Sequence, residues 1–272
     1  MDLRSLSFRT DLIFSELLGN VSHDGENWIV KEPKAPSYYW GNFLYRDHPP
    51  KNLAEFRATE IVFRNSFADI PGIFHVAIGW HNETIEVLPE TQRLFDLSRT
   101  EGYEVTNDVV LRFEGTIVEP EPRFTIKALE SDSQWQQSRD LAALCDATPH
   151  VGNYGAFVHQ MYQRYGMMVA KKRGQWLGAY DGDTLVGQMG LIWSGNLGRF
   201  QAVETHPGYR CRGVCTALLR RVLYEGHKRG LENFVIVARE KHVERIYERV
   251  GFTACERQVG VHRSDAQKKL RS

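Results

Sequence analysis

The residues of this 272-residue chain with the most chemical content run Thr205-His206-Pro207-Gly208-Tyr209-Arg210-Cys211-Arg212-Gly213-Val214-Cys215-Thr216. A strand-like run through Phe200 to Thr205 leads into them. Apolar residues then recur as Val214, Leu218, Val222 and Cys215, Leu219, Leu223, the spacing of a helix face. A turn between a strand and a helix leaves the first N–H groups of the helix without partners, at the positive end of its dipole. Gly213 admits close backbone approach, and Arg210 and Arg212 add charge suited to phosphate. The implied chemistry is binding of a phosphate-bearing ligand. A Walker A loop and a dinucleotide fingerprint are excluded, because neither G-x4-G-K-[ST] nor G-x-G-x-x-G occurs. Cys145, Cys211, Cys215 and Cys255 form no C-x-x-C pair, so no metal site and no disulfide framework are expected.

The elements around this turn follow α/β grammar. Phe124, Ile126 and Ala128 alternate as a strand, and Ser131 with Gln134 makes a capping box before a helix carrying Leu141, Leu144 and Cys145. A second helix is expected between Tyr154 and Val169. Runs at 175–180 and 184–193 read as antiparallel strands joined by Asp181-Gly182-Asp183, since Asp-Gly tolerates the positive φ of a hairpin turn. Ser194-Gly195-Asn196 turns the chain into the strand ending at Thr205. The phosphate-side helix is expected to run to about Arg229, where His227, Lys228 and Arg229 suit a helix C-terminus and Gly230 stops it. Phe234-Val-Ile-Val-Ala238 is the uniformly apolar run of a doubly covered strand. Val243, Ile246, Tyr247 and Val250 mark a short helix ended by Gly251-Phe252.

These residues resemble the GCN5-related N-acetyltransferase (GNAT) superfamily. Its donor loop, [QR]-x-x-G-x-[GA] after a strand often ending V-x-P, is matched by Arg210-Cys211-Arg212-Gly213-Val214-Cys215 after His206-Pro207. Its later helix with Tyr before Gly-Phe is matched by Tyr247-Glu248-Arg249-Val250-Gly251-Phe252. The resemblance covers about residues 123–263. It implies acetyl-CoA as co-substrate, with amides from Cys211 to Thr216 on the pyrophosphate and the main chain of Val203 to Thr205 on the pantetheine. It implies Tyr247 as general acid toward the departing thiolate, direct attack by an amine without a covalent enzyme intermediate, and no metal. Glu204, near the expected thioester, is the candidate base. Cys215 stands where Gly or Ala is usual, Glu240 where many members have Asn, and Arg199 where some have a glutamate base. These departures motivate the alternative of a catalytically weak or inactive acyl-CoA-binding regulatory protein.

The N-terminal half offers structure but little chemistry. Expected elements are a helix over 9–18, strands at 28–30 and 38–45, and a helix over 52–67 with Leu53, Phe56, Ile61 and Phe63 as its stripe. A strand at 73–80, a helix over 89–97 and a strand at 105–113 follow. This late order repeats that of the C-terminal half and points to a degenerate GNAT-like unit without a donor loop. Val118-Glu-Pro-Glu-Pro-Arg123 reads as a linker, because proline removes amide donors and holds the chain extended. The expected organisation is 1–117 accessory or GNAT-like, 118–123 linker, and 124–272 an acetyltransferase domain, hence an α/β fold on a mixed sheet with a pseudo-repeat.

Lys+Arg and Asp+Glu are each 34, so the net charge is zero and gives no global electrostatic case for nucleic acid or an anionic membrane. A composition 42% hydrophobic and 25% charged is that of a folded globular chain. The apolar run at 234–238 falls far short of the ~20 residues that span a bilayer. A soluble cytoplasmic enzyme is expected, monomeric or homodimeric, with acetyl-CoA and an amine acceptor (small molecule or protein) as partners.

Overall fold

The computed structural model describes residues 4–82, 84–121, 123–146 and 154–265. From the N-terminus the elements are α1 (Leu6–Leu18), β1 (Asn20–His23), β2 (Asn27–Lys31), a 3-10 turn (Tyr39–Gly41), β3 (Phe43–Arg46), α2 (Leu53–Ser66), β4 (His75–Asn82), α3 (Pro89–Thr100) and β5 (Glu104–Phe113). There follow β6 (Thr125–Ala128), α4 (Asp132–Cys145), α5 (Tyr154–Ala170), β7 (Gly174–Asp181), β8 (Thr184–Ser194) and β9 (Leu197–Thr205). A second 3-10 turn (Pro207–Tyr209) precedes α6 (Val214–Lys228), β10 (Asn233–Ala238), α7 (Lys241–Glu248) and β11 (Phe252–Ser264). The fold is a mixed α/β one, as expected.

Contacts divide the chain into two compact units. One comprises Met1–Leu111, Val237–Glu240 and Ala254–Ser272; the other comprises Arg112–Ile236 and Lys241–Thr253. Residues 118–123 fall inside the second unit, and most of β11 falls in the first.

The first unit orders its strands β1-β2-β3-β4-β11-β5. β3 and β4 run parallel, joined through α2, while β4 and β11 are antiparallel. Its core gathers Leu44, Phe56, Phe63, Ile78, Trp80, Phe95 and Val261. The helical stripe of α2 is narrower than its periodicity predicts: Phe56, Thr59 and Phe63 are buried, but Ile61 is 59% exposed. The strand expected over 38–45 begins only at Phe43. Buried Asn42 explains this, since its Nδ2 donates to the carbonyls of Ala35 (2.9 Å) and Tyr38 (3.2 Å) and its Oδ1 accepts from Glu32 N (2.9 Å). These side-chain bonds offer the backbone an alternative to a sheet ladder. β1 has no counterpart in the sequence reading; three of its four residues are exposed, leaving no apolar alternation to detect.

The second unit orders its strands β6-β7-β8-β9-β10. Neighbours are antiparallel except β9 and β10, which run parallel on either side of α6. Both glycine hairpins form as expected, with Gly182 at φ 58° and Gly195 at φ 57°. The capping box is present at α4, where the Ser131 side chain accepts from Gln134 N and the Gln134 side chain accepts from Ser131 N. α6 buries Val214, Leu218, Leu219, Val222 and Leu223. Gly187 and Gly226 let that face sit close, because a Cβ at Gly187 would stand 2.5 Å from Val214 and one at Gly226 2.6 Å from Phe234.

The order β3–α2–β4–α3–β5 matches β9–α6–β10–α7–β11, each opening on a parallel crossover. The two differ where chemistry would occur. At α2, Asn52 Oδ1 accepts from Glu55 N and Glu55 Oε2 accepts from Lys51 N, both at 3.0 Å. Side chains thus use amides that α6 leaves open.

Candidate functional site

β8 and β9 pair with a shift in register: Ile192 opposes Arg199 and Gly190 opposes Gln201, but Gln188 opposes Glu204. The extra residue of β9 is absorbed around Ala202, whose φ is 48°, forming a β-bulge. Strict alternation from Arg199 and Gln201 would turn Glu204 to the opposite face. The bulge returns it to theirs.

That face is covered by α4 and α5. Gln188 is fully buried, and the two N–H groups of its Nε2 are shared among Ser138 O (2.9 Å), Tyr162 OH (2.7 Å) and Glu204 Oε2. Ser138 Oγ donates to Gln188 Oε1, which sets the amide orientation, and Tyr162 OH donates to Ser138 O at 3.3 Å. Burial pushes the Glu204 carboxyl up to about 7, and Asp146 adds to the shift, while the bonds to Gln188 and Tyr162 oppose it. Beside them Cys145 Sγ donates to Thr205 O at 3.3 Å, its thiol raised by burial and by Glu204.

β9 opens on its other edge. Its pairing with β10 runs from Leu197 opposite Asn233 to Arg199 opposite Val235, whereas β9 continues to Thr205. Main-chain groups of β9 beyond that point, including Val203 and Thr205, are thus freed from β10.

The turn after β9 carries the residues expected to cradle an anion. Gly213 caps α6 at φ 85°, a left-handed conformation costly for any residue with a Cβ, and Cys211 adopts φ 61°. Ala217 N donates to Gly213 O at 3.0 Å as the helix starts, so the earlier amides at Val214, Cys215 and Thr216 belong to its unsatisfied first turn. Cys211 and Arg212 are exposed, Gly213 and Thr216 half-buried and Val214 buried. The guanidinium of Arg212 lies 4.9 Å from the Tyr209 ring centre, and Tyr209 OH donates to Asp181 Oδ2 at 2.8 Å. Arg210 is turned toward the Cys145 thiol.

Tyr247 is buried on α7, against Phe252 at 6.2 Å between ring centres. Its phenol is held above the ordinary tyrosine value by burial first and by the Cys215 thiol second, so it stays protonated at neutral pH. Cys215 is itself pushed up to about 12 by burial and is a neutral thiol. Tyr247 thus adjoins the first turn of α6. No interaction among the described residues joins it to Glu204, which lies on the α4–α5 side of β9.

Gln188, Tyr162 and Ser138 were not visible as site residues in the sequence. Only the bulge brings Glu204 to them, and a bulge at Ala202 leaves no glycine signature. Among the described residues no group of three His, Cys, Asp or Glu side chains is placed to hold a metal ion. No helix among them is long and apolar enough to cross a membrane.

Residues 146–267 match the family model described as an acetyltransferase (GNAT) domain. A comparison with proteins of curated function finds no match. Among solved structures, a functionally unknown conserved protein from Staphylococcus epidermidis is similar with a TM-score of 0.73 at 15% identity, over 90% of this chain and 94% of that one. A GCN5-related N-acetyltransferase from Kribbella flavida is similar with a TM-score of 0.65 at 12% identity, over 96% of each chain. One from Sphaerobacter thermophilus has a TM-score of 0.56 at 16% identity, over 88% of this chain and 81% of that one. At these identities the likeness is one of fold, and it extends over both halves of the chain.

Proposed function

We propose, from the match of residues 146–267 to the GNAT acetyltransferase domain model, that the chain transfers an acetyl group from acetyl-CoA to a primary amine by direct attack. The observation that carries this reading is the glycine-capped turn between β9 and α6, with Gly213 at φ 85° and the amides of the first helical turn beyond it. The electrostatics suit this reading: the helix dipole favours an anion there, and the Arg123 guanidinium lies beside Gly213, 2.9 Å from where a Cβ would stand.

Acetyl-CoA supplies an activated thioester. Amides of Cys211, Arg212, Gly213, Val214, Cys215 and Thr216 hold its diphosphate, and the Arg210 and Arg212 side chains add positive charge. The main chain of Val203 and Thr205, released from β10, pairs with the pantetheine amides as a sheet edge pairs with an added strand. Glu204, ionised above about pH 7, accepts the proton of the attacking amine. Gln188, itself bonded to Tyr162, holds its carboxylate in place, and Tyr162 bonds to it as well. Tyr247, kept protonated, donates to the thiolate that leaves. A screen of primary amines with acetyl-CoA, following free thiol release, tests the proposal. CoA binding with no transfer to any amine would favour the non-catalytic acyl-CoA-binding alternative instead.

A further inference from the structure

We propose that Arg123, outside the residues that match the acetyltransferase family, is a ligand of the donor's diphosphate. This rests on the reading of residues 211–216 as the donor loop.

Arg123 stands just before β6, at the end of the proline-bearing segment. Its guanidinium hangs over the α6 cap: a Cβ built on Gly213 would lie 2.9 Å from Nη1, 3.2 Å from Cζ and 3.7 Å from Nη2. Glycine at 213 is required by its φ, and any side chain there would have to displace the arginine above it. The motif arginines add charge nearby but stand beside other groups, Arg210 turned to the Cys145 thiol and Arg212 over the Tyr209 ring. Arg123 is exposed, and among the described residues no carboxylate pairs with it. By contrast, Arg112 and Arg221 in the same unit pair with Glu114 and Glu225.

A guanidinium set beside the positive end of a helix is a juxtaposition of like charges that an anion touching both would relieve. The ligand class follows: a group with anionic oxygens on more than one side, as a diphosphate has, accepting from loop amides on one side and from the planar fork of Arg123 on the other.

The test is calorimetric titration of the full chain with CoA and with pantetheine, which lacks the diphosphate. Arg123 is exposed, so Arg123→Ala leaves the fold intact. We expect Arg123→Ala to weaken CoA about 10–100-fold, Arg123→Lys to recover part of the loss, and neither to alter pantetheine binding. Unchanged CoA affinity in Arg123→Ala, with tight binding by the unaltered chain, would overturn the role of Arg123 and leave the donor loop standing. Equal losses for CoA and pantetheine would also overturn it. Absence of CoA binding by the unaltered chain would overturn the donor-loop reading and this proposal with it.

Discussion

Gln188 and Glu204 stand directly opposite one another on β8 and β9, and the amide of the first donates to the carboxylate of the second. This pairing exists because the chain gains one residue at Ala202, and it converts a strand glutamate into a partly enclosed acid–base group. Its consequences can be measured.

Transfer activity should rise with pH through about 7, because only ionised Glu204 accepts a proton. Glu204→Gln should flatten that limb and lower kcat/KM by about 10²-fold, the usual worth of a general base. The check is a pH–rate profile of both forms with an acceptor that is already neutral over the range. A variant with the unaltered profile would remove Glu204 from the reaction.

The same group sets a stability trend. Its folded value, about 7, lies above the ordinary carboxylate value of 4.5, so the native state holds the proton more firmly than the unfolded chain does. Stability from this group is complete below about 4.5 and is lost as pH rises through about 7. Glu204→Gln should therefore gain stability relative to the unaltered protein at pH 8 but not at pH 4.5, as read by urea denaturation at the two values.

Gly213→Ala places a Cβ at a φ of 85° and 2.9 Å from the Arg123 guanidinium. The backbone strain alone is on the order of 1 kcal/mol. CoA affinity should fall about tenfold or more while circular dichroism stays unchanged; equal affinity would show that the cradle tolerates a side chain.

Tyr247→Phe keeps the buried ring and removes the proton. The expected outcome is a fall in kcat of about 10²-fold with CoA affinity retained, measured by steady-state kinetics beside calorimetry. A loss confined to affinity would make Tyr247 a packing residue.

Glu256 caps α1 from a distant part of the chain, accepting from Ser5 Oγ (2.8 Å), Leu6 N (3.0 Å) and Ser7 N (2.6 Å). Glu256→Ala leaves these donors without their acceptor and should destabilise the first unit by about 3 kcal/mol in chemical denaturation. Glu256→Gln should recover part of this.

Much of this architecture is readable in the residues because local physics and tertiary packing agree. The Asp181-Gly182-Asp183 hairpin, the Ser131–Gln134 box and the Val214–Leu223 face each become what their chemistry predicts. The turn proposed to hold the donor was legible because Gly213 is a residue that a left-handed cap demands. The Glu204 network was not legible, since alternation from Arg199 and Gln201 points the wrong way and Ala202 gives no sign of a bulge. Asn42 likewise overrode the strand propensity of Tyr38 to Tyr45 through bonds to residues seven and ten positions away. The approach of Arg123 to Gly213 joins residues far apart in the chain, and no spacing rule reaches it.

Calorimetric titration of the purified chain with acetyl-CoA, beside the Gly213→Asp variant, tests the central claim most directly. The account predicts saturable binding to the unaltered protein and its loss in the variant, where a carboxylate enters the cradle while the fold persists. Well-folded protein that does not bind acetyl-CoA, or a variant that binds it equally well, would contradict the assignment of the β9–α6 turn as the donor site.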